Sequence, residues 1–315
     1  MRINEDFIKK SKRPYEKQAT TFGEQIKLLR NRGVVIDNDE KTKECLADIG
    51  YYRLGFYTFP FEKTYPDLTR QRCHEVKKET KIEDIVGLYY FDFDLRNILN
   101  KYLSRIEVAI RTTMVYELSN KYKEDPAWFV NNSIVSDKFI DGFRDIYKTI
   151  KERPAIARHH QYYSCKYAPA WKTMEFMTLG NLEVLYDCLL KDEDKKIICR
   201  HFDEPKTGVF KSYLTTIREV RNACAHGNIL FGLTLKNGIR SGKACKSFPK
   251  KANQNFYGAL LVIDYFLKQV SLNRDKDMWK EIYRATTILY SKAPKLRELI
   301  EMKTGIILPE EKDEV

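Results

Sequence analysis

The chain has 315 residues, is 43% hydrophobic and carries 20 Tyr and 17 Phe, enough apolar material for one large or two smaller cores, which excludes disorder throughout. Its 56 Lys and Arg against 44 Asp and Glu leave a formal charge of +12, a balance that suits a polyanionic partner, either nucleic acid or an acidic surface, and is also met in generally lysine-rich proteomes. Seven scattered cysteines, odd in number and without a Cys-x-x-Cys, argue against a zinc site or a disulfide framework and for a reducing compartment.

Residues 1–19 are polar and basic, with Lys9, Lys10, Lys12, Arg13 and Lys17, and read as a tail or a nucleic-acid arm. The start Met-Arg-Ile-Asn-Glu-Asp does not resemble a signal peptide, and no apolar run approaches membrane-spanning length, so a cytoplasmic protein without a membrane partner is expected. Thr21 and Glu24 form a capping-box pattern, followed by Phe22, Ile26 and Leu29 on one helical face and by Gly33 as a stop. A second helix is expected over about 39–49, buried through Leu46 and Ile49. The aromatics around Arg53, from Tyr51 to Tyr57, serve either as core or as a base-stacking surface. Residues 62–81 are mixed in charge, contain Pro66 and make the best candidate linker. The expected division is an N-terminal helical region at 1–80, a helical bundle at 81–270 and a C-terminal helix and tail at 271–315.

From Ile82 to about Asn120, Ile85, Leu88, Leu95, Leu99, Tyr102, Ile106, Ile110 and Met114 keep a three-and-four spacing. Asp92–Asp94 is a place where a new helix could be capped. Glu107 and Arg111, four apart, form an intrahelical pair or bring one of the two to a distant polar site. Further helices are expected at about 136–152, 172–191 and 192–202, with 158–163 as a polar, aromatic loop. His159 and His160 invite a metal, yet no carboxylate or cysteine stands at ligand spacing, so no metal is expected.

Phe210, Leu214, Ile217, Val220 and Cys224 then mark the buried face of a helix approached through Asp203 and Pro205 and stopped by Gly227. Arg218, Asn222 and His226 follow each other at four-residue steps beside that face, and Arg221 lies at its edge. One helix end thus gathers guanidinium, amide and imidazole. That set suits RNA cleavage: a base frees the 2′-hydroxyl, histidine exchanges protons near neutral pH, and a guanidinium stabilises charge on the phosphate. A structural helix with a surface arginine and a terminal histidine has the same hexapeptide.

Leu233–Arg240, with Asn237-Gly238 at its centre, reads as a short β-hairpin. No Asp or Glu occurs from Val220 through Ile263, whereas Lys236, Arg240, Lys243, Lys246, Lys250 and Lys251 do. Such a basic stretch is the footprint of phosphate contacts, and Arg218 is grouped with it. A helix is expected over 253–270 and another over 276–303 with a break near Pro294; residues 309–315 are a tail. No Walker or Rossmann glycine loop and no Gly-x-Ser-x-Gly is present, and no cofactor is expected.

Several stretches, taken together, resemble abortive-infection (Abi) proteins of the AbiD/AbiF type. They are Thr21–Gly33, Ile49-Gly-Tyr-Tyr-Arg-Leu54, Leu88-Tyr-Tyr-Phe-Asp-Phe-Asp-Leu-Arg96, Arg105–Arg111, Pro169-Ala-Trp171 and Arg218–His226, in the family's order over about 15–231. The resemblance implies a mainly α, HEPN-like bundle whose Arg-x(4–6)-His motif cleaves RNA without metal, in bacterial phage defence. It places that motif on Arg221, Asn222 and His226. It also implies a homodimer, since such sites pair two motifs, and a link to a small structured RNA, so that a dormant RNA-binding protein is the alternative function. One departure stands out: some HEPN toxins carry a modifiable tyrosine two residues after the histidine, where this chain has Asn228.

Overall fold

The computed structural model describes residues 14, 16, 18–67, 72–246 and 252–309. The chain divides into two compact units, Met1–Tyr89 and Tyr90–Val315. In the first, α1 (Phe22–Asn31), α2 (Asp39–Ile49) and α3 (Tyr51–Thr58) follow one another. The capping box forms: Thr21 Oγ1 accepts from Glu24 N–H while the Glu24 carboxylate accepts from Thr21 N–H. Ile26, Leu29, Leu46 and Ile49 are buried. The aromatic stretch divides: Leu54 and Tyr57 are buried in the core, whereas Tyr52 and Phe56 are exposed.

The described parts of the expected linker, 62–67 and 72–81, are held within this unit. Lys63 N–H donates to the Glu75 carbonyl, Lys77 N–H to Phe61 and Val76 N–H to Arg32. Glu62, almost wholly buried, accepts from Arg72 Nε at 3.0 Å. A buried carboxylate needs such a partner, and the pair fixes a segment whose composition alone reads as loose.

The long helix α4 (Ile82–Lys121) runs for 40 residues, and every apolar position named from its spacing is buried. It does not break at Asp92–Asp94, where the helix is continuous. The Asp92 carboxylate turns inward, accepting from Arg96 and from the backbone N–H groups of Leu230 and Phe231.

The remaining helices of the second unit are α5 (Asp137–Lys151), α6 (Pro154–Tyr162), α7 (Ala170–Thr173), α8 (Leu179–Cys188), α9 (Asp192–His201), α10 (Thr207–Ala225), α11 (Phe256–Val270), α12 (Arg274–Lys292) and α13 (Arg297–Thr304). Helix α10 packs against α8, α9 and α11, and α11 against α12. The stretch expected as a loop at 158–163 is the end of α6, which Pro154 opens from the first helical position. The helix expected over 172–191 is broken: α7 gives way to a 3-10 turn at Met174–Phe176, and a Thr178–Asn181 capping box starts α8 afresh.

The expected hairpin after α10 does not form. Among the described residues there are isolated bridges only, one of them joining Thr234 to Asn255. Leu235 N–H donates to the Gln254 carbonyl and Ile239 N–H to Asn253. The N–H groups of Lys236 and Arg240 are taken by Glu219 and Ser212 of α10. Side chains of the motif helix thus satisfy the backbone that a hairpin would have paired with itself.

Candidate active site at the end of helix α10

Helix α10 buries Phe210, Leu214, Ile217, Val220 and Cys224, so its polar edge is fixed in rotation. It ends in a Schellman arrangement. Gly227, at φ +66°, takes the left-handed backbone, its N–H donates to the Cys224 carbonyl, and Asn228 N–H donates to Ala223. His226 caps the helix and is exposed; Arg221 and Asn222 are half-buried.

Arg221 is held from two sides. Its Nε lies 3.5 Å from Glu107 Oε2, and its Nη1 donates to Asn222 Oδ1 at 3.5 Å. Glu107 in turn accepts from Arg111 Nη2 at 3.0 Å, and Arg111 also donates to the Met177 carbonyl at 3.0 Å. The two alternatives for Glu107 and Arg111 are therefore both met: they pair within α4, and Glu107 reaches the motif. A largely buried carboxylate between two guanidiniums orients both, because each charge lacks enough water to reorient freely.

Arg218, grouped by sequence with the phosphate-binding residues, is held by Glu183 of α8. Glu183 also accepts from Thr215 Oγ1 at 2.5 Å. Sequence reasoning missed Glu183. Its signal was a carboxylate flanked by Leu182, Leu185 and Tyr186, all buried.

A second missed pair sets the chain beyond the motif. Asp92, fully buried, accepts from Leu230 N–H at 3.0 Å and Phe231 N–H at 2.8 Å. Arg96 Nη1 donates to Asp92 at 2.5 Å and to the Asn228 carbonyl at 3.3 Å. The exit from the histidine is thus tied to α4 by a buried ion pair.

The basic stretch is exposed at Lys236, Arg240, Lys243 and Lys246; Lys250 and Lys251 lie outside the described residues. Acidic partners absent from its own sequence arrive from elsewhere. Lys243 Nζ lies 2.5 Å from Asp203, and Lys243 N–H donates to the buried Glu204 at 3.0 Å. Lys243 is thereby less available to a phosphate than its sequence neighbourhood implies.

Cys224 sits one turn before the histidine's exit and is buried; burial, reinforced by the charge of Asp92, pushes its thiol up to about 12. It is therefore no nucleophile near neutral pH. Among the described residues no group of three or more His, Cys, Asp or Glu could hold a metal ion. The paired histidines diverge: His159 Nε2 meets Cys165 Sγ at 3.3 Å and His160 Nε2 meets Tyr147 Oη at 2.8 Å.

Fold and site together define an all-helical protein that presents an arginine, an asparagine and an exposed histidine at the end of an otherwise buried helix. Residues 44–232, from within α2 to just past that helix, match the Abi-like protein family, and the chain belongs to it. No curated protein and no solved structure gives a match. No helix is long and apolar enough to cross a membrane among the described residues.

Proposed function

We propose that the chain is a metal-independent endoribonuclease of the HEPN type, acting in abortive-infection defence as a homodimer. One observation carries the reading: an exposed imidazole stands at the end of α10, in the same helix turns as a guanidinium that Glu107 and Asn222 hold in place. Membership in the Abi-like family and the AbiD/AbiF-like motifs supply the class.

The chemistry follows from those groups. His226 of one protomer takes the proton of a ribose 2′-hydroxyl. The 2′-oxygen bonds to the adjacent phosphorus as the bond to the 5′-oxygen breaks, and His226 of the other protomer protonates that leaving oxygen. Arg221 stabilises charge on the non-bridging oxygens, and Asn222 orients the phosphate or the imidazole. The products are a 2′,3′-cyclic phosphate and a 5′-hydroxyl. The exposed Lys236, Arg240 and Lys246 offer further cations to the RNA backbone.

Purified protein is expected to cut RNA in the presence of a chelator, and a strict need for magnesium would falsify the mechanism. His226→Ala is expected to remove cleavage and growth toxicity at unchanged Tm, since the side chain is exposed. A second reading, a dormant protein holding a dedicated RNA, is favoured by the engagement of Arg221 with Glu107. One discrete RNA copurifying with an inactive protein decides for it.

A further inference from the structure

Two clefts of the second unit are each lined in part by the four-residue helix α7, and neither is lined by the basic stretch after α10. The first, of about 280 Å³, is lined by Arg111, Tyr116, Trp171 and Glu175 among others. The second is lined by Arg158, Tyr163 and Lys172 among others. Trp171 and Lys172 are consecutive, so one short helix serves both.

The platform beneath them is rigid. Ala168, Ala170 and Thr173 are fully buried. Ala168 N–H donates to Tyr147 Oη, Ala170 N–H to the Pro126 carbonyl, and Thr173 Oγ1 to the Ala168 carbonyl. On this fixed base Trp171 is 54% exposed, and Tyr116, which lines the same cleft, 64%. Large aromatics displayed on a rigid scaffold lose apolar burial that a flat, apolar partner restores. The cleft lies just below the roughly 300 Å³ at which drug-sized pockets begin. Arg111 adds a need of its own: its Nε is buried without a hydrogen-bond partner, while its Nη2 leads through Glu107 to Arg221.

We propose that these clefts form a track for unpaired RNA, with one base stacking against Trp171 and Tyr116 beside the cleavage site and the next phosphates meeting Lys172 and Arg158. Glu175 offers an acceptor to base N–H groups, and Tyr163 a further stacking face. Aromatic faces interleaved with cations are what single strands, rather than duplexes, require. The track deepens the ribonuclease reading and rests on it for the nature of the polymer.

The test uses the full chain carrying His226→Ala, so that RNA survives, and a mixed-sequence single-stranded oligoribonucleotide against the same sequence as a duplex. Trp171→Ala is expected to raise Kd for the single strand about tenfold, and Trp171→Phe, which keeps a stacking face, to restore most of the loss. Lys172→Glu and Arg158→Glu are each expected to flatten the salt dependence of log Kd by about one. In the cleaving protein, Trp171→Ala is expected to raise KM with kcat little changed. Parental binding by Trp171→Ala, or equal affinity for duplex and single strand, overturns the track even where His226→Ala still abolishes cleavage. Conversely, a protein that cuts no RNA yet shows the Trp171 series in binding retains the track and loses the nuclease. No RNA binding at all removes both.

Discussion

At the scale of single residues the site turns on Glu107. Its carboxylate faces Arg221 at 3.5 Å and Arg111 at 3.0 Å, and it is largely buried. Glu107→Gln keeps the shape but removes the charge, leaving two guanidiniums side by side. Arg221 is then expected to lose its fixed orientation, and a misplacement of about 1 Å costs up to about a hundredfold in rate. Kinetics are expected to show a fall in kcat with KM nearly constant; parental kcat means that Glu107 restrains the arginine without serving it. Cys224 permits a test by pH. Its folded value is raised to about 12, above an unfolded thiol near about 8.5. Between those values the folded state holds a proton that the unfolded state has released, so the contribution to stability is intact below about pH 8.5 and is lost as pH rises towards 12. Cys224→Ala is expected to lessen the fall of unfolding free energy with pH above 9 by at most about 1.4 kcal/mol per unit. Denaturant titrations at several alkaline pH values measure it, and an unaltered slope contradicts the burial of the thiol.

At the scale of elements, α4 and α10 position the site together: Glu107 meets Arg221, and Asp92 and Arg96 tie the segment just after α10 to α4. Truncating one member of a buried pair costs about 3–5 kcal/mol, because the other charge is left without compensation. Asp92→Ala is expected to cost at least that much, since Leu230 and Phe231 N–H groups are orphaned as well. The double variant Asp92→Leu, Arg96→Met is expected to recover only part of the loss, and thermal denaturation separates the two. Full recovery shows that the two backbone N–H groups find other acceptors. Much of this architecture is legible in sequence. The apolar spacing of α4, the capping box of α1 and Gly227 as the stop of α10 each follow from local rules and were met. What was not legible depends on distant partners. Asp92 reads as a helix cap until Leu230 and Phe231 are brought to it. Asn237-Gly238 reads as a hairpin turn until Glu219, Ser212 and the 253–255 segment take the neighbouring N–H groups. The acid-free window reads as wholly cationic until Asp203 and Glu204 arrive beside Lys243. Arg221, Asn222 and His226 could be grouped from sequence because they lie within six residues on α10 and its cap; Glu107 was legible only as one of two alternatives and Glu183 not at all, because each comes from another helix.

At the scale of the whole molecule, charge and assembly pull against each other. Each copy carries a formal +12, so bringing two copies together costs repulsion that salt screens within a Debye length of about 10 Å at 0.1 M. Binding of RNA, as proposed, would respond in the opposite sense, because every phosphate contact releases counterions and weakens as salt rises. If cleavage needs one His226 from each of two copies, the free protein is expected to dimerise more completely as salt rises, while its affinity for RNA falls. At low salt RNA is then expected to neutralise the repulsion and bring the copies together. Initial cleavage rates at low salt are therefore expected to rise faster than linearly with protein concentration and to become linear once dimers dominate. Sedimentation velocity across a salt series gives the dimer fraction, and cleavage of a labelled RNA at matched concentrations gives the rate. A rate strictly proportional to concentration throughout, with a single monomeric species in every salt, rejects the two-copy site. The arginine and histidine of one chain would then have to act alone, with a second proton carrier supplied from outside the motif.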